Sequence, residues 1–188
     1  KELLRNYGSN GLNPCKIAFD LHSTTSAMGS SLVIYGRRPT DLALASLVQS
    51  YLGLPIYLHE GDNDQQGFLV ESWPCGLVIE IGPVPQSLLS SHIIEKTRLA
   101  VEACLTSLAK ILFDKATFPA NLIVHRHRYS LDFPREDNGE PKAILHPQIL
   151  GKDWHPIQRG SPLFIAPDNE VVSFDGEDGL VPVFINEA

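Results

Sequence analysis

Two acid–base side chains stand at the ends of apolar runs in this chain. The first, His22, follows Lys16–Leu21 (KIAFDL) and opens a polar stretch, HSTTSAMGSS. In open α/β sheets, ligands bind outside the carboxyl ends of strands, so this imidazole is delivered to the expected site. There it can ligate a metal or bond to local backbone, and position alone leaves both open. The second is Glu80, inside LVIEIGP. A carboxylate in an apolar strand is costly to bury unless paired or beside a metal, and such a setting suits general acid–base work. The bland alternative is a Glu on the exposed face of an edge strand.

Other candidates carry less. His125 and His127 alternate with Arg126 and Arg128, so each pair shares a strand face, and a solvated basic strand is expected. His92-Ile93-Ile94-Glu95 matches H-x-x-E in letters, but its isoleucines serve a helix core. His59, His146 and His155 have no partner at ligand spacing. Arg37-Arg38 could clamp a carboxylate, with a solvated loop the plainer expectation. Ser23, Thr24 and Thr25 lack the strand–turn–helix setting of a nucleophilic serine.

These residues need elements to position them. Strands are expected at Lys16–Leu21, Ser31–Tyr35, Leu54–Leu58 and Leu77–Ile81. The last, apolar apart from Glu80, has the pattern of a strand covered on both faces. A helix follows Pro39 over Thr40–Tyr51 and stops at Gly53. A longer helix is expected from Gln86 to Phe113, with Ile94, Val101, Leu105, Leu108 and Leu112 as its stripe and Glu95, Lys96, Glu102 and Lys110 outside. Alternating strands and helices imply a mainly parallel sheet. After Phe118-Pro119 the texture changes to short runs (LIVHRHRYSLDF, SPLFIAP, EVVSF, LVPVFIN), which reads as a small antiparallel β-domain.

Composition bounds the function. The 188 residues are 43% hydrophobic and 20% charged, as in an ordinary folded chain, and the net charge of −7 argues against a nucleic-acid or anionic-membrane partner. Cys15, Cys75 and Cys104 form no C-x-x-C pair, which fits buried thiols in a reducing compartment. A cytoplasmic location is the default expectation.

Longer landmarks carry a resemblance. DLHSTTSAMGSSLVIY, GLVIEIGPVPQ, FPREDNGEPKAILHPQILGKDWHPIQRGSPLF and VPVFINEA, spread over nearly the whole chain, resemble the aspartoacylase and succinylglutamate desuccinylase group. The resemblance implies a zinc-carboxypeptidase-like α/β fold, with residues 1–117 as a partial hydrolase domain and 118–188 as the C-terminal β-domain. It implies hydrolysis of N-acetylaspartate or a related N-acyl amino acid to acetate and the free amino acid. It also implies one zinc ion per subunit with His22 as a ligand, and Glu80 as the catalytic carboxylate, itself in contact with substrate. Asp20 would orient the ligand shell, or stand as a plain strand-end acid. A homo-oligomer is expected. The alternatives are a succinylglutamate desuccinylase-like deacylase and a non-catalytic binding protein that retains the fold.

The chain departs from the family pattern in three places. The early H-x-x-E segment that supplies two zinc ligands is absent, GFLVESWPCGL offers no arginine where a substrate clamp is expected, and the sequence stops before a substrate-contacting tyrosine. Both ends are therefore expected to lie inside a longer protein.

Overall fold

In this computed structural model, which describes residues 1–61 and 67–187, the apolar runs of the first two-thirds line up in one sheet. Its strands are β1 (Ile17–His22), β2 (Ser31–Tyr35), β3 (Ile56–His59), β4 (Cys75–Glu80) and β5 (His125–Arg126). They lie in the order β1-β4-β2-β3-β5. The pairs β1/β4, β2/β3 and β3/β5 are parallel and β2/β4 is antiparallel, so the sheet is mainly parallel, as expected. The order makes β4 an interior strand, and all of its residues are buried.

Register divides this sheet into two unlike faces, because side chains alternate along a strand and in-register neighbours share a side. Leu32, Ile34, Ile56, Leu58, Leu77 and Ile79 fall on one face and form the core with Leu44, Ala45 and Val48 of α2 (Pro39–Leu52) and Ala100, Ala103 and Cys104 of α3 (Ser91–Leu112). The other face carries Asp20, His22, Glu80, Ser31, Tyr35, Tyr57 and His59. A 3-10 turn at Leu69–Ser72 lies against this second face, where a Cβ on Gly76 would sit 2.6 Å from the Val70 carbonyl oxygen. Phe68 stacks on Tyr35 there, with ring centroids 3.9 Å apart.

The helices follow local chemistry, with two departures from expectation. Pro39 sits in the first turn of α2, and Gly53 ends it in the left-handed region at φ 66°. The long helix begins at Ser91, not Gln86, because Ser87 takes φ 63° and breaks the pattern. Its expected inward stripe is also displaced. Ile94, Val101, Leu105 and Leu112 are 61%, 38%, 60% and 78% exposed, and only Leu108 of that set packs on the core. Ala100, Ala103, Cys104 and Ser107 face inward instead. Small side chains let the helix approach its neighbours closely, which turns the larger aliphatics roughly 100° around the axis. Among the described residues no helix is long and apolar enough to cross a membrane. Cys75 and Cys104 are buried thiols, but Cys15 is exposed, because Asn13-Pro14 precede it in a segment outside β1. A short helix, α1 (Glu2–Tyr7), has no amphipathic pattern to announce it and buries no residue.

The second compact unit comprises residues 130–188 together with Thr24–Gly29 and Gly82–Gln86, the segments that follow β1 and β4 in the chain. It contains an antiparallel sheet of β6 (Ile144–Leu145), β7 (Pro162–Ile165) and β8 (Val171–Ser173). Ala143, Ile149, Ile157, Leu163, Phe164 and Phe174 form its core. Two of the four short runs behave differently from the expectation of β-domain strands. LIVHRHRYSLDF gives only His125–Arg126, and these pair in parallel with β3 of the first sheet. LVPVFIN forms no strand beyond a single bridge from Leu180 to Ile157, since Pro182 cannot donate to a ladder.

Candidate functional site

His22 is the last residue of β1, and Glu80 the last of β4, and the parallel register sets them side by side. The His22 Nδ1 lies 3.8 Å from Glu80 Oε1, too far for a hydrogen bond and close enough for both groups to face one small species between them. On the other side of the ring, Nε2 lies 3.1 Å from Asp20 Oδ2. Asp20 and His22 are two apart on one strand and so share a face. The imidazole thus stands between two carboxylates, with its own side chain 55% exposed and that of Glu80 only 10%.

The surroundings favour a proton-handling site. The Tyr35 phenol is pushed well above the ordinary range, first by burial and then by the negative charges of Glu80 and Asp20. It therefore stays a neutral donor at physiological pH. Ser31 lies opposite Glu80 across the antiparallel pair, fully buried, and its hydroxyl has no hydrogen-bond partner among the described residues. Serine at this position gives no sequence signal, because a strand-start Ser is common.

The loop that begins two residues after His22 binds a carboxylate of its own chain. Glu187 Oε2 accepts from Thr24 Oγ1 at 2.6 Å, from the Thr25 backbone N–H at 3.0 Å and hydroxyl at 3.1 Å, and from the Ser26 N–H at 2.8 Å. The same loop is knitted to the segment after β4, where the Val84 N–H donates to the Thr24 carbonyl at 3.0 Å. Gly82 is required there, since a Cβ would meet Thr24 Cγ2 at 2.6 Å and the Thr24 carbonyl oxygen at 2.8 Å. These hydroxyls lack a nucleophile's setting, and their role as donors to a residue more than a hundred and sixty positions away leaves no local trace in the sequence.

The remaining candidates resolve into structural roles. Arg37 forms a bidentate pair with Glu60 at 2.7 Å, and Arg126 joins it at 3.0 Å. The Arg37 hydrogen bonds hold the Glu60 carboxyl below its ordinary range. Arg38 donates to Asp41 at 2.6 Å and to the Trp73 carbonyl at 2.7 Å. Arg37 is exposed in the loop after β2, as expected, whereas Arg38 is half-buried at the start of α2. His127 is buried, not solvated, and its ring stacks on His59 with centroids 4.9 Å apart and planes at 11°. His125 stays exposed, as does His92 at the start of α3, while Glu95 pairs with Arg98.

The donor chemistry fits one corner of a zinc site. A ligating histidine ordinarily offers one ring nitrogen to the metal and the other to a carboxylate, the arrangement that Asp20 gives His22. The set is incomplete, because among the described residues no three His, Cys, Asp or Glu side chains form a metal-holding group.

Known proteins share this architecture. Residues 120–188 match the AstE/AspA barrel-sandwich hybrid domain. The chain is 62% identical over 188 residues to a probable aspartoacylase of Prochlorococcus marinus strain MIT 9313, covering 100% of this chain and 62% of that protein. It is 56% identical over 187 residues to a probable aspartoacylase of Synechococcus sp. strain CC9605, again with 100% of this chain and 62% of that protein covered. The chain therefore spans about 62% of the length of these relatives. The crystal structure of murine aminoacylase 3 superposes with a TM-score of 0.82 at 28% identity, over 100% of this chain and 63% of that one, which is the zinc-carboxypeptidase-like fold expected. Residues 1–108 match the succinylglutamate desuccinylase/aspartoacylase catalytic domain, more than half of the sequence, and the chain belongs to that family.

Proposed function

We propose that the protein is a zinc-dependent amidohydrolase that releases acetate from N-acetylaspartate or a related N-acyl amino acid. The observation that carries this is the in-register placement of His22 and Glu80 at adjoining strand ends, 3.8 Å apart. His22 would serve as one ligand, oriented by Asp20, with the other ligands drawn from outside the described residues. The chemistry zinc supplies when bound is polarisation of the amide carbonyl and acidification of water. Glu80 would take a proton from the attacking water on its carboxylate and return it to the leaving amine nitrogen. Its burial on an interior strand keeps bulk water from competing for that proton. Substrate would contact Glu80 directly, and Tyr35 would remain a phenol donor on the same sheet face.

The relatives named probable aspartoacylase support the acetyl-aspartate reading, and the absence of a cation in GFLVESWPCGL supports a wider choice of acid side chain. The test is metal analysis of the full-length protein joined to an acetate-release assay over several N-acyl amino acids. His22→Ala is expected to lose zinc. Glu80→Gln is expected to keep zinc and lose about 10²–10⁴ in kcat. Near-normal turnover by Glu80→Gln would overturn the role given to Glu80, whereas a full-length protein that binds no zinc and hydrolyses none of the set would defeat the proposal and leave a binding protein. Assembly into a homo-oligomer belongs to the same proposal and is checked by light scattering.

A further inference from the structure

Asp153, in the second unit, is 5% exposed and carries two donors on a single oxygen. The Ser26 hydroxyl donates to Oδ1 at 3.0 Å, and the Ile185 backbone N–H donates to the same atom at 3.1 Å. Ser26 belongs to the loop that continues the strand ending in His22. Ile185 stands two residues before Glu187, the acid that accepts from Thr24, Thr25 and Ser26. One buried oxygen therefore fastens both the loop and the segment that grips it. The next residue acts on the other end of the loop: the Trp154 indole N–H donates to the Met28 carbonyl at 2.8 Å.

Burying this acid is costly. Its second oxygen, Oδ2, is buried with no hydrogen-bond partner among the described residues, and a carboxylate so placed forfeits hydration without full return. What the acid achieves is a join between segments more than a hundred residues apart in sequence.

We infer that Asp153 is a positioning residue for the hydrolysis proposed above, on which this inference rests. By holding Ser26 and Ile185 on Oδ1 it fixes the Thr24–Gly29 loop, and through chain continuity the course of the backbone that leaves His22. The role belongs to the acceptor oxygen and not to the charge, since both of its partners are neutral donors.

The test uses Asp153→Ala, Asp153→Asn and the milder Ser26→Ala in the full-length protein. Asp153→Ala is expected to lower kcat roughly 10²-fold with zinc content unchanged, the scale of a catalytic group displaced by about an ångström. Asn keeps an oxygen at the Oδ1 position, so it should restore most of that activity. Ser26→Ala removes one of the two bonds and should fall between. Amide hydrogen exchange gives a readout that does not depend on turnover: the Ser26 and Ile185 amides should exchange faster in Asp153→Ala and stay protected in Asp153→Asn. A lower melting temperature with unchanged kcat in the folded fraction would make the role purely structural and overturn the inference. So would an Asn variant as impaired as the Ala variant. A wild-type protein without hydrolase activity would defeat the proposed function, whereas unaltered exchange in Asp153→Ala would defeat the anchoring itself.

Discussion

Asp41 gives the sharpest stability prediction. It lies in the first turn of α2, is fully buried, and accepts from two donors: the Arg38 Nε at 2.6 Å and the Gly76 backbone N–H at 2.9 Å. The second bond joins α2 to the strand that ends in Glu80. Replacing Asp41 with Ala removes both. Gly76 is buried between Asp41 and Val70, so its N–H loses its partner in a dry site, at a cost of about 1–3 kcal/mol. The Arg38 side chain is 32% exposed, so its guanidinium partly rehydrates, and it keeps the Trp73 carbonyl. Its share is therefore below the roughly 3–5 kcal/mol of a fully buried broken pair. Together these give a loss of about 3–4 kcal/mol. Asp41→Asn keeps an oxygen for Gly76 and loses the charge facing Arg38, so it should cost about 1–2 kcal/mol. Urea unfolding of the full-length protein reads both values from the midpoint, with a slope of about 2–3 kcal/mol per molar, so Asp41→Ala should shift it by roughly 1–2 M. A loss below about 1 kcal/mol for Asp41→Ala, or equal losses for the two variants, would refute the assignment of the buried pair.

Three further outcomes rest on packing and burial. Gly82→Ala should destabilise by about 1–3 kcal/mol through overpacking against Thr24, and calorimetry of Gly82→Ala with and without Thr24→Ser should show partial relief when Cγ2 is removed. In the native protein a thiol reagent should modify Cys15 quickly and Cys75 and Cys104 only on unfolding; fast modification of all three would contradict the burial. Burial pushes the Cys75 thiol from 9.0 to about 11, with the Asp41 charge adding to it, and the Cys104 thiol to about 12. Their folded-state values are raised, so the protonated form is favoured by folding. The contribution is complete below pH 9.0 and declines as pH rises toward 11 and 12, and a Cys75→Ala/Cys104→Ala variant should lose stability less steeply across that window.

The strands of the first unit were legible because parallel, doubly covered strands are written as uninterrupted apolar runs, and β2 and β4 fall within two residues of their expected limits. The orientation of α3 was not legible. Leucine and isoleucine at helical spacing advertise a core face, yet here the contact face is built from Ala100, Ala103, Cys104 and Ser107, whose small size is what the close approach needs. The short strands of the second unit were only partly readable, since β6 and β8 span two and three residues and carry no periodicity. His22 and Glu80 stood out as polar residues ending apolar strands. Asp153 and Glu187 could not, because their meaning lies in bonds to Ser26 and Thr24 from the far end of the chain.

The division of the sheet into two faces explains why one strand pair can hold both a rigid core and a reactive site. A strand buried on one face by helices has its backbone held by the ladder on both sides, so side chains on its other face inherit that rigidity without making core contacts of their own. β4 is the extreme case, with Leu77 and Ile79 fully buried under α2 and α3 and Glu80 pointing to the opposite side. Register then supplies precision that a loop would lack, since the pairing that aligns Leu21 with Ile79 also aligns His22 with Glu80. A one-residue slip of β1 would carry His22 to the helical face and bring Leu21 beside Glu80. The apolar residues that forbid that slip are the same ones that set the distance between imidazole and carboxylate, so the geometry of the site is written in the packing of the opposite face.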